Sequence, residues 1–448
     1  MARMKSKGGW IALVVALWTA NAGAEGDPLG VDGVAEAIVL MTTPVWTGPR
    51  TPPPPDTPRP KGASRSIRSA VALVAVHVPP DTDEATGDAI LRALEFARAE
   101  LDVLGWPAPL PDGSLGGGPE LDLYLAPRVS LTQAFTDDLA TWSFLDRASA
   151  FAVMSPETPT AAIPACVTAA YAEALLLSMD PAEAPAWRRA TAAWLTWEIT
   201  GRFGCEDAVF EQQAEPYRSW VRGAAAKGAG GAMLLAFLSA RHDDSRSEFV
   251  RDAWLLASQR TWEGRGLRAD PDLWSAIQTA IERSGDRLLA NIEELAIQRW
   301  FVGRGRAKSD VIAAIDSDAR VPITRSLTRV PTRTVAPRPL ESFGSAYLLL
   351  PAGTWAGATQ LRAWLEGEYG VRWSFVAVQL DGNGSEIRRV ASPTTEATPQ
   401  AYLPIDLDEA TESLLLVVTN LSSRLPDADM PDANQRAFQV TLDRADEP

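Results

Sequence analysis

The chain has 448 residues, 46% of them hydrophobic, and carries 42 Lys and Arg against 57 Asp and Glu, for a net charge of −15. That balance takes nucleic acid and anionic membrane surfaces out of the expected partners, since both select an excess of cations. The apolar share suffices for packed cores, and the length predicts two or three domains.

In chain order, residues 1–24 have the form of a secretory signal peptide. Arg3, Lys5 and Lys7 are followed by the apolar run Ile11 to Ala20 and by Ala22-Gly23-Ala24, an A-x-A cleavage signal. The run is too short to span a bilayer, and no later run approaches a span. The expected location is therefore periplasmic or extracellular. Residues 25–66 read as a Pro-rich linker or leader, "TGPRTPPPPDTPRPKGAS", without periodicity. Residues 67–308 then alternate strand and helix signals. "AVALVAVHV" reads as a buried strand. The following helix carries the apolar stripe Ile90, Leu94, Ala97 and Leu101. "LDLYLAP", after a Gly-rich turn, and "ASAFAVMS" read as two more strands. Helices are expected through the segment around Cys166 to Cys205 and then over 213–226, 230–241, 246–260, 271–283 and 285–300. Residues 309–338, proline-rich and basic, read as a connector. From 339 to 446 helix signals vanish, and six or seven short strands with the turn "DGNG" suggest an antiparallel β-sandwich. The fold class is α+β.

The segment "CVTAAYAEALLLSMDPAEAPAWRRATAAWLTWEITGRFGC" reads as two consecutive helices joined by a short loop and bounded by the only two cysteines. In an exported chain, Cys166 and Cys205 are expected as a disulfide rather than as metal ligands. Together with the strands "LDLYLAP" and "ASAFAVMS" and the helix "WRRATAAWLTWE", this order resembles a secreted bacterial zinc-metallopeptidase family of the gluzincin, zincin-like type, over residues 69–305. The β-rich tail containing "LLLVVTNL" is similar to the accessory sandwich such proteins carry. The resemblance implies H-E-x-x-H on the first helix, with two histidines one turn apart on one zinc ion and the glutamate as general base. It implies a third ligand, a glutamate, on the second helix.

The chain departs from that pattern at every position. Ala169 and Ala170 stand where the first histidine and the glutamate would be, and Glu173 stands at the second histidine. Arg189 or Ala190 takes the place of the third ligand. Alanine offers no lone pair, so no His2Glu zinc site is expected here, and no cofactor. If Arg189 faces Glu173, a bidentate ion pair could stand in for the metal charge, with both residues solvated as the alternative.

Other candidates are weaker. His242, Asp243 and Asp244 could bind metal but fit a polar helix end better. His77 ends a buried strand. Trp355, Trp364 and Trp373 fit core packing, with a carbohydrate-facing strip as the alternative. The expectation is a catalytically inactive metallopeptidase-like protein that binds a peptide or protein, or scaffolds. The alternatives are a hydrolase with a non-zinc site and an accessory partner of an active paralogous peptidase.

Overall fold

The computed structural model describes residues 58–62, 64–127, 131–141, 146–206, 208–221, 228–243, 247–259, 269–304, 312, 315, 319–426 and 434–445. The expected signal peptide and the leader up to residue 57 lie outside them. The class is α+β.

The first sheet joins β1 (Arg65–Arg68), β2 (Val74–Val78), β3 (Leu121–Leu125), β4 (Thr132–Thr141) and β5 (Asp146–Met154) in the order β1-β2-β3-β5-β4. β2, β3 and β5 run parallel, while β1 and β4 are antiparallel edges. Between β2 and β3 the chain makes α1 (Glu84–Val103), whose start is capped by Asp83 accepting from Thr86 N at 2.8 Å. Its buried residues include Ile90, Leu94, Ala97 and Leu101, the stripe that the 3.6-residue period marks in the sequence. The strand pleat sorts the sheet's side chains. Val74, Val76, Val78, Leu121, Leu123, Ala150, Ala152 and Met154 face the main core. His77, Asp122, Tyr124, Phe151 and Val153 alternate with them and belong to the other face.

On the core side lie α2 (Ile163–Met179) and α3 (Pro185–Thr200), joined by a short loop. α2 starts with Pro164 in its first turn and is almost wholly buried. The stretch 160–179 is long and apolar enough to cross a membrane, but 78% of its most apolar window is buried within the fold, as in a core helix. Then follow α4 (Ala208–Ala214), α5 (Ala232–His242), α6 (Glu248–Ala257), α7 (Leu273–Arg283) and α8 (Leu288–Gln298). The helix expected over 213–226 is replaced by α4, which stops before Pro216. Proline disfavours helical backbone at the residue before it and has no N–H to continue the ladder. The rest of that expected span, 222–227, lies outside the described residues.

The C-terminal part forms two sheets from β6 (Arg325–Ser326), β7 (Thr332–Val335), β8 (Ser345–Pro351), β9 (Gln360–Gly367), β10 (Arg372–Leu380), β11 (Glu386–Pro393), β12 (Gln400–Asp406), β13 (Ser413–Ser422) and β14 (Phe438–Arg444). Their orders are β11-β10-β13-β8-β6 and β12-β9-β14-β7. One core lies between them, with Leu348, Phe375, Leu414 and Leu416 from one sheet and Leu361, Leu365, Leu403 and Val440 from the other. β6 and β7 come from the stretch that reads as a connector, where alternating Thr and Arg in "TRTV" suit a short edge strand. The DGNG turn joins β10 to β11, and Asp381 Oδ1 accepts from Asn383 N and Ser385 N at 2.8 Å each.

β13 reads as an unbroken apolar run because both its faces are covered. Leu414, Leu416 and Val418 enter the inter-sheet core. Leu415 and Val417 pack outward with Val376, Val378 and Tyr347 against Ile297, Trp300 and Phe301 at the end of α8. Tyr347 Oη donates to Ala296 O at 2.6 Å, and Arg389 Nη1 to Glu294 Oε2 at 2.6 Å. Trp355 and Trp373 are buried in the inter-sheet core and form no exposed strip; the partly buried Trp364 rests against Tyr402, 5.4 Å between ring centroids.

Candidate functional site

The helix pair of the sequence motif sits under the antiparallel edge of the first sheet. Its ends are stapled by the Cys166–Cys205 disulfide, with a Cα separation of 4.1 Å. On α2 the residues one, two and three turns along from Cys166, namely Ala169 and Ala170, Glu173 and Leu177, share one face. Ala170, Glu173 and Leu177 are buried, and Ala169 is half-buried. On α3 the face of Trp187, Thr191 and Trp194 turns away into the helical core. Trp187 meets Trp274 edge-on at 4.9 Å, and Trp254 Nε1 donates to Thr191 Oγ1 at 3.0 Å. Ala190 is fully buried.

Arg189 does face α2. Its Nε lies 3.9 Å from Glu173 Oε1, within ion-pair range but longer than a hydrogen bond. Glu173 Oε2 accepts instead from the backbone N–H of Ala134 in β4, at 2.9 Å. The direction of that N–H follows from the ladder. Ser155 N donates to Leu131 O, which puts Gln133 and Phe135 in the hydrogen-bonded register with β5 and turns Ala134 N–H to the open edge; Leu131 itself joins the ladder through its carbonyl alone. Glu206 Oε1 accepts from Leu131 N at 3.1 Å. Two carboxylates thus cap the beginning of the edge strand. The edge strand itself went unread in the sequence, because "TQAFTDDLAT" is too polar for a buried-strand signal. A Thr-rich, charged strand of this kind is typical of a sheet edge.

The loop joining α2 to α3 holds two further buried carboxylates. Asp180 is pushed up to about 7, chiefly by burial and then by Asp146. Glu183 is pushed up to about 8 by burial and by Asp180. Each has a structural duty: Asp180 Oδ1 accepts from Ala182 N at 3.0 Å, and Glu183 Oε2 accepts from Leu273 N, at the start of α7, at 2.7 Å. The guanidinium of Arg188 reaches back to the carbonyls of Pro181 and Glu183, and burial lowers its proton affinity.

His242 Nε2 donates to Asn291 Oδ1 at 3.1 Å, and the ring stacks on Phe249. Asp243 accepts from Phe249 N in the first turn of α6 and from Ser239 Oγ, which is a capping role. Asp244 lies outside the described residues. His77 is on the opposite face of the first sheet, with Nε2 2.7 Å from Asp122 Oδ1 and Nδ1 2.9 Å from Ser66 Oγ. Among the described residues, no group of three or more His, Cys, Asp and Glu is arranged to hold a metal ion. No family model matches the sequence, and no curated protein matches it.

Proposed function

We propose that this chain is an exported, catalytically inactive, metallopeptidase-like protein that binds an extended polypeptide without cutting it. The reading rests on one observation. The carboxylate at the position of the resemblance's second histidine, Glu173, is engaged by Ala134 N–H and faces Arg189. Its neighbours at the other motif positions, Ala169 and Ala170, carry no ligating atom. A general base needs a free lone pair aimed at a water, and a carboxylate that caps a strand edge beside a guanidinium is poorly placed for that work. What the helix pair does supply is a packed floor beneath β4, and beyond the N–H groups that Glu173 and Glu206 cap, a strand edge takes up extended chains through backbone hydrogen bonds.

The test has two parts. The purified protein, incubated with zinc and desalted, holds substoichiometric metal by elemental analysis. A random peptide library passed over the immobilised protein leaves bound members that elute uncut by mass spectrometry. One tightly held zinc per chain, cleaved peptides, or no retained peptide at all would each overturn the proposal.

A further inference from the structure

The outer face of the first sheet, away from the helix pair, holds a second constellation. Asp122 and Tyr124 come from β3, Asp137 from β4, Phe151 from β5 and Asp112 from the loop after α1. All converge on the guanidinium of Arg59, which arrives from the segment "PRPKG" at 58–62. Arg59 Nε donates to Asp137 Oδ1 at 3.0 Å, and Nη2 to the other oxygen of Asp137 and to Asp112 Oδ2. Nη1 donates to Asp122 Oδ2 and to Tyr124 Oη, the latter at 3.0 Å. The guanidinium carbon stands 5.2 Å from the ring centroid of Phe151 and 5.8 Å from that of Tyr124. Behind them His77 stacks on Tyr124 at 4.4 Å and bonds Asp122, holding both in place.

Arginine has five N–H donors in a fixed planar fork, and here five acceptor contacts meet them. Asp137 takes one edge of the fork bidentately, Asp122 and Tyr124 take the Nη1 pair, Asp112 completes Nη2, and aromatic rings flank the plane. Lysine, with three donors and a point charge, could not satisfy this set. As a structural ion pair the arrangement is overbuilt. One guanidinium needs one carboxylate for neutrality, and desolvating two more costs more than a single cation returns. Asp112 shows that excess directly. It is 3% exposed, and its Oδ1 is buried without a hydrogen-bond partner.

The occupant is presented simply. Arg59 lies between two prolines, Pro58, Lys61 and Gly62 are exposed, and β1 begins six residues later. We propose that this face is a recognition site for the arginine side chain of an extended polypeptide, and that Arg59 is its resident intramolecular occupant. A short tether gives Arg59 a high effective concentration, so a ligand in trans competes poorly until the 58–62 strap is displaced or cut. The Arg59 site includes Asp137 of the edge strand β4 but none of Ala134, Glu173 or Arg189, so it stands whether or not the helix-pair reading does.

The test uses the full chain and its Arg59→Ala variant, titrated calorimetrically with the blocked peptides acetyl-Pro-Arg-Pro-amide and acetyl-Pro-Lys-Pro-amide. The variant is expected to bind the arginine peptide at least about tenfold more tightly than the wild type does, as expected once a tethered competitor is removed. It should also prefer it at least about tenfold over the lysine peptide, the selectivity of a bidentate fork over a point charge. Arg59→Ala/Asp137→Asn should lose that binding. A folded Arg59→Ala protein that ignores the arginine peptide, takes the lysine peptide equally well, or binds calcium or magnesium in its place would overturn the proposal. Should Arg59→Ala fail to fold alone, its refolding with the arginine peptide but not the lysine peptide supports the site, and failure with both refutes it.

Discussion

Replacing both cysteines by alanine isolates what the staple across the helix pair contributes. Cys166 lies in the first turns of α2 and Cys205 just beyond α3, 39 residues apart in sequence. Closing a loop of that length removes about 13 cal/mol/K of entropy from the unfolded chain, or about 4 kcal/mol at 25 °C. The side chains add little of their own. Cys166 is fully buried and Cys205 nearly so, and each loses only a sulfur on replacement by alanine. The assay is equilibrium guanidinium unfolding followed by tryptophan fluorescence, since Trp187, Trp194, Trp254 and Trp274 all lie in the helical core around the pair. The expected result is that Cys166→Ala/Cys205→Ala, and the wild type under reductant, lose the same amount, about 4 kcal/mol in the helical transition by loop closure. A double variant as stable as the oxidised protein would refute the argument, because it would mean that α2 and α3 stay associated in the unfolded ensemble and that loop closure was never being constrained.

Three further predictions concern the site and its supports. Glu173→Ala leaves Ala134 N–H without its acceptor and should cost about 1–3 kcal/mol. Glu173→Gln keeps an acceptor oxygen for Ala134 N–H and should cost less than Glu173→Ala; equal losses in urea unfolding would show that charge, not the edge hydrogen bond, dominates. For Asp180 and Glu183 the folded pKa values, about 7 and about 8, lie above the ordinary carboxylate range. The folded state then binds more protons than the unfolded one between about pH 4 and pH 8, and stability falls as pH rises through that window. Glu183→Gln can still accept from Leu273 N and should flatten this fall; an unchanged slope in pH-dependent thermal melts would assign it to other groups. Tyr347→Phe removes the hydrogen bond to Ala296 O that ties β8 to α8 and should cost about 1 kcal/mol in chemical denaturation. No loss there would mean that apolar packing alone docks the sheet on the helices.

Where order is local, the sequence by itself determined it. The 3.6-residue stripe of α1 needs only its own residues and the Asp83 cap. The strands of the C-terminal sheets announce themselves by alternation and by the DGNG turn, and the unbroken apolar run of β13 marks burial on both faces. Two cysteines in a chain whose first residues read as a signal peptide were enough to expect Cys166–Cys205. The absent histidines of the helix pair were equally plain, since ligand identity is a property of residue type. What only the tertiary structure decided is which side chains meet. β4 pairs as an edge, yet its polar residues carry no strand signal until β5 and the Glu173 carboxylate lie beside it. Arg59 sits in a proline-rich stretch that reads as linker, and the carboxylates that enclose it are 53, 63 and 78 residues away. Local periodicity reports which face of an element is apolar. It holds no information about which distant charges the sheet order will bring within hydrogen-bond reach, because that depends on strand pairing across loops whose length hardly changes their closure cost.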